Sequence, residues 1–149
     1  MSFSEDLDRQ RPHVISAVRL AGEGWAAAMR AHKMAPPDLG FAGRLDKLAK
    51  AAAAEQEAWE QAHAAGLLWR PVPGGENASP PYELRPGTGR RGPPALWERF
   101  DAAVAALNGA IAGSDAARVA ETFGEMAAAA GLLASAVAEE DAAAVRGAA

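Results

Sequence analysis

Two side chains of this sequence carry chemistry at a recognisable spacing: Glu60 and His63, which lie on a segment with helical periodicity. Residues three apart share one face of a helix, and the Glu-x-x-His pattern supplies metal ligands in diiron helical bundles. Those sites need a second copy of the pattern, which this sequence lacks. We therefore expect His63 to face solvent and predict no metal or other cofactor, with Glu60 and His63 as weak metal candidates.

Glu55 is a carboxylate within an apolar series of helical spacing. The series consists of Phe41, Leu45, Leu48, Ala52, Glu55, Trp59 and Ala62. Strict continuation places Glu55 on the core face, where a lone carboxylate is costly and its pKa is perturbed, as in a pocket acid or ligand anchor. A helix of 3.6 residues per turn drifts against such a series, which instead turns Glu55 outward or into a salt bridge. The outward or salt-bridged orientation is the one we predict.

Residues 67–93 are rich in glycine and proline and also contain aromatic and arginine side chains. The candidate ligand- or partner-binding residues here and just beyond are Trp69, Tyr82, Arg85, Arg90, Arg91 and Trp97, to which Glu55 is added. In one interpretation, backbone N–H groups and arginines bind an anion. In the other, the aromatic residues pack on the end of a helical bundle, and the arginines are solvated or paired with an acidic fourth helix. Aromatic anchors and prolines favour the second interpretation.

Four segments with apolar residues at three- and four-residue steps must position these groups. They cover about 4–33, 41–66, 94–112 and 114–146, with Ser114 as the predicted N-cap of the last. Pro12 marks either the start of the first helix or a kink in it. Alternating tight and loose connections predict a single all-α domain over 1–149, an antiparallel up-down-up-down four-helix bundle. Its ordered 67–93 loop is expected to cover the end left open by the short third helix.

Composition narrows the classes of function. The chain has 149 residues, no cysteine and a net charge of −4, so disulfides and thiolate chemistry are excluded. Residues 95–149 carry a net charge of −5, which argues against a duplex-binding face and hence against nucleic acid as a partner. The N-terminus is acidic where a signal peptide is basic, and no apolar run is long enough for a membrane span. We expect a cytoplasmic protein that does not bind membranes.

The sequence offers a bundle signature but no catalytic set, so we expect the protein not to be an enzyme. The leading hypothesis is a non-enzymatic helical module that binds a protein partner or itself, as a homodimer, through the 67–94 loop and helix faces. The alternative is a small-molecule-binding protein or enzyme. Its pocket would lie at the open end of the bundle, beneath the loop, lined by Trp69, Tyr82, Trp97 and Glu55.

Overall fold

The computed structural model describes residues 12–34, 40–66, 90–113 and 115–148. These residues form four helices and no strand, which confirms the all-α prediction: α1 (Pro12–Met34), α2 (Phe41–Ala64), α3 (Pro94–Ala112) and α4 (Ala116–Ala148). The third helix matches its predicted bounds. The predicted helical turns before residue 12, and loop residues 67–89, lie outside the described residues. None of the four helices combines the length and apolarity that crossing a bilayer requires.

The helix ends follow ordinary capping chemistry. Pro12 is the first described residue of α1, and proline is tolerated in the first turn of a helix because its missing N–H would have no intrahelical partner there. Gly66 follows α2 at φ +72°, and its N–H bonds to the carbonyl of His63. Asp115 caps α4, because its carboxylate accepts the N–H of Arg118 at 3.0 Å. The predicted cap, Ser114, lies outside the described residues.

The core of the described helices combines alanines with larger apolar side chains, which make up 17 of its 27 buried apolar residues. Trp25, Phe100 and Phe123 are the largest fully buried side chains. Trp25 of α1 meets Phe123 of α4 edge to face, with ring centroids 5.3 Å apart. Small residues allow the helices to approach closely, and the larger apolar side chains bury more area per residue.

Contacts along the helices give the direction of each one. The His32 ring near the end of α1 lies 5.4 Å from the Phe41 ring at the start of α2, so these helices are antiparallel. The Gln56 side chain lies against Gly124, and about two turns later along α2 His63 shares a groove with Ala117, about two turns earlier on α4. Residue numbers therefore rise along α2 as they fall along α4, and these helices are also antiparallel.

The third helix runs in the same direction as the second. Gly92, just before α3, lies against Leu133 near the middle of α4, and the short turn at Gly113 returns the chain into α4. Helices α2 and α3 are thus both antiparallel to α4 and parallel to each other. The predicted up-down-up-down order is wrong, and the described helices run up-down-down-up. Gly66 and Arg90 lie at opposite ends of the bundle, and a long connection makes this order possible.

Gly92 fixes the approach of the chain to α3. Its φ of +107° lies in a region that L side chains rarely adopt. A Cβ at this position would lie 2.9 Å from Cδ2 of Leu133 and 3.4 Å from Cγ2 of Val137. Both the backbone conformation and the contact with α4 therefore require glycine here.

We predict that Gly92→Ala lowers the free energy of unfolding by about 1–3 kcal/mol, since it adds backbone strain and a steric overlap. Urea denaturation measures the change. The control is Gly109→Ala in the exposed part of α3, where a Cβ would meet nothing within 4 Å. That variant should match the wild type or be up to about 1 kcal/mol more stable, because alanine favours helix. A Gly92→Ala protein as stable as wild type would contradict this account.

Candidate functional site

Glu55 is buried in the middle of α2, at the contact with α1. Its side chain is 3% exposed, and its Oε2 accepts a hydrogen bond from Nε1 of Trp59 at 3.1 Å. A Cβ on Gly22 of α1 would lie 3.5 Å from Oε1. The predicted outward or salt-bridged orientation is therefore wrong. The regular series through Ala52 and Trp59 continues through the carboxylate, and Gly22 of α1 lies beside it.

Burial changes the acid strength of Glu55. Removing the carboxylate from water raises its pKa from the ordinary 4.5 to about 7, although the hydrogen bond from Trp59 acts in the opposite direction. Oε1 receives no hydrogen bond from any residue that the structure describes. Glu55 is therefore a protonated, neutral side chain at mildly acidic pH and exchanges a proton near neutrality.

Glu60 and His63 are exposed and open onto a groove between α2 and α4, which we call the acidic groove. Its volume is about 470 Å³, and its lining includes Glu60, His63, Ala120, Glu121, Gly124 and Glu125. His63 faces solvent, as predicted. Within the described part of the chain, no three histidine or carboxylate side chains lie close enough to hold a metal ion.

Arg90 is held by residues of α3. Its guanidinium makes two hydrogen bonds to the Asp101 carboxylate, at 2.9 and 2.7 Å, and lies 4.4 Å from the centre of the Trp97 ring. A bidentate ion pair with a carboxylate, stacked on an aromatic ring, uses both the planar geometry and the charge of arginine. This positive charge is therefore matched within the chain rather than presented to an anion.

Arg91 connects the same segment to α4. Its guanidinium lies 2.6 Å from Asp141 and 3.6 Å from Glu140. Its carbonyl accepts a hydrogen bond from Nε1 of Trp97 at 2.9 Å. Together with Arg90, this residue attaches residues 90–93 to both neighbouring helices. The pairing with the acidic fourth helix is the arrangement that the packing interpretation predicts for an arginine here.

The described candidates do not form one pocket. Trp97 is buried at the end of the bundle, where its ring lies 5.7 Å from that of His32, which in turn contacts Phe41. Glu55 lies fourteen residues after Phe41 on α2, which is roughly 21 Å along a helix. The structure thus places Trp97 and Glu55 at different levels of the bundle. Trp69, Tyr82 and Arg85 lie outside the described residues.

A second groove, between α1 and α2, was not predicted, and we call it the α1–α2 groove. Leu20 stands at its edge with 71% of its surface exposed. The groove has a volume of about 300 Å³ and is lined mainly by small residues of both helices, among them Ala17, Ala21, Gly24, Ala51, Ala54 and Ala58. The signal in the sequence was Leu20 itself, a large apolar residue outside the stripe of Val18, Ala21 and Trp25.

We predict that Glu55 makes stability depend on pH between about 4.5 and 7. The folded chain keeps the Glu55 proton up to about pH 7, whereas the unfolded chain releases it near 4.5. The unfolded state therefore holds fewer protons in this window, and stability falls as pH rises through it, by about 3 kcal/mol in total. Below 4.5 both states are protonated and the loss is absent.

Glu55→Gln removes the ionisable group, so the variant should gain stability relative to wild type steadily as pH rises across this window. Chemical denaturation at a series of pH values measures the difference in free energy of unfolding. Glu60→Gln, an exposed position on the same helix, is the matched control and should show no such trend. A constant difference between Glu55→Gln and wild type from pH 4.5 to above 7 would contradict the prediction.

No protein-family model, no curated protein and no solved structure matches the chain. Its function is therefore inferred from its own residues and surfaces.

Proposed function

We propose that this protein is a non-enzymatic helical interaction module that associates with itself through its helix faces. The observation that supports the proposal is the α1–α2 groove, where Leu20 stands 71% exposed beside a floor of small side chains. The absence of cysteine from the sequence suits the cytoplasm, where disulfides are rare, and we place the module there.

Association of two chains through this surface would bury both Leu20 and the groove. Burying a leucine side chain contributes about 1.5–3 kcal/mol. Alanine and glycine at the floor let another helix approach closely enough to cover it. Leu132 and Val145 are also exposed, on α4. Single exposed apolar residues are common on monomers, so the proposal depends on Leu20 together with the groove that it lines.

The alternative, a small-molecule site at the end of the bundle, has weaker support from the described residues. Trp97 is covered by Arg90 and His32, and Arg90 and Arg91 are engaged with carboxylates of the chain. Glu55 lies at another level of the bundle and contacts Trp59. Aromatic and charged groups that would bind a ligand at this end already contact one another.

We expect native mass spectrometry and light scattering of the full, untagged chain to show a homodimer, at twice the 15.4 kDa mass of one chain. The dimer fraction should increase with protein concentration, since association follows mass action. A monomer at every concentration would overturn the proposal. A monomer that carries extra mass would instead favour the small-molecule alternative.

A further inference from the structure

We infer that the α1–α2 groove binds the same groove of a second copy of this chain, about a two-fold axis that passes near Ala54. This inference rests on the proposed self-association and specifies its surface and geometry. In a two-fold interface, one patch meets itself, so each feature must complement another feature of the same patch. Both the shape and the charge of the groove satisfy this condition.

One contact within the chain fixes the position of each α1 residue relative to α2. Helices α1 and α2 are antiparallel, and Gly22 lies beside Glu55. Leu20, two residues before Gly22, therefore lies near the level of Glu57, and Gly24 lies near the level of residue 53. A rise of about 1.5 Å per residue puts Leu20 and Gly24 roughly 3 Å to either side of Gly22.

A two-fold axis at the level of Ala54 reverses the direction of the helices in the partner. Leu20, which lies near the level of residue 57, therefore faces the level of residue 51 of the partner. There it meets Ala51 and Gly24 of the partner subunit, which are among the smallest residues of the groove. Gly24 is exposed, and a Cβ added to it would meet nothing within 4 Å in its own chain. The projecting leucine thus faces open space, and this happens twice in the dimer.

Charges on α2 obey the same symmetry. Lys50 lies four residues before Ala54 and Glu57 three residues after it, about 6 Å and 4.5 Å along the helix. Both side chains are exposed, and that of Lys50 is 78% exposed. The two-fold axis brings Lys50 of one copy beside Glu57 of the partner subunit, which gives two opposite-charge contacts. The existing pair of Lys50 with Asp46 is an exposed pair within one helix, which contributes little and does not prevent this contact.

Charge-swap variants of the full chain test the register. We expect Lys50→Glu and Glu57→Lys each to raise the dimer dissociation constant about tenfold, because each replaces two attractive contacts by two repulsive ones. The double variant restores opposite charges across the axis and should return the dissociation constant to within about threefold of wild type. Sedimentation equilibrium measures all four proteins. Weakening in both single variants without recovery in the double variant would overturn the two-fold register.

Leu20→Asp tests the surface itself. It should raise the dissociation constant at least about tenfold, since it places a charge against the partner's apolar groove. Thermal unfolding of the monomer should change little, because the side chain is exposed. Leu132→Asp is the matched control, a 49% exposed leucine on α4, and should leave the dissociation constant unchanged.

The outcomes separate this inference from the proposed function. If the wild type is a dimer and Leu20→Asp dimerises equally well, the α1–α2 groove is not the interface, although self-association stands. Binding of a different partner to the groove of a chain that is itself monomeric would overturn both the inference and the proposed self-association. A dimer that Leu20→Asp dissociates and the charge swap rescues supports the inferred geometry.

Discussion

The close approach of α2 and α4, which alanine and glycine permit, is the constraint on which the rest of the structure depends. Gly124 lies at this contact beneath the Gln56 side chain, which would have to move if a Cβ were added there, 2.6 Å from its amide nitrogen. Helices with small interface residues gain dispersion contacts over their whole length but bury little area per side chain. Larger residues fill the remaining space, and Trp25 and Phe123 connect α1 to α4.

The contact between α1 and α2 has two different sides. On the inner side, Glu55 is enclosed next to Gly22 with one hydrogen bond from Trp59. On the outer side, Ala54 and Ala58 line an apolar groove. Ionisation of Glu55 destabilises the fold, and its cost is a noticeable part of the 5–15 kcal/mol by which a domain is typically stable. Small residues line the outer groove and leave its floor open, whereas on the inner side a Cβ at position 22 would lie 3.5 Å from the carboxylate, an ordinary contact distance.

The arginines show why residue type alone does not identify a site. Arg90 and Arg91 lie in a glycine- and proline-rich stretch that resembles an anion-binding loop in composition. In the fold, their charges are matched by Asp101, Asp141 and Glu140, and Trp97 stacks beneath Arg90. The segment therefore attaches the start of α3 to α4. The carboxylates that pair with these arginines lie outside the glycine- and proline-rich stretch. Its local composition therefore did not reveal the role of the arginines.

The sequence by itself determined the all-α class, the bounds of α3 and the amphipathic faces, because helix propensity and apolar spacing act over a few neighbouring residues. It also placed His63 at the surface. The direction of α3, the burial of Glu55 and the α1–α2 groove were decided only by the tertiary structure. Periodicity records which face of a helix is apolar, but it does not record which helix covers that face or in which direction it runs. Those choices depend on the fit between residues distant in the chain, as between Gly22 and Glu55 or Gly92 and Leu133.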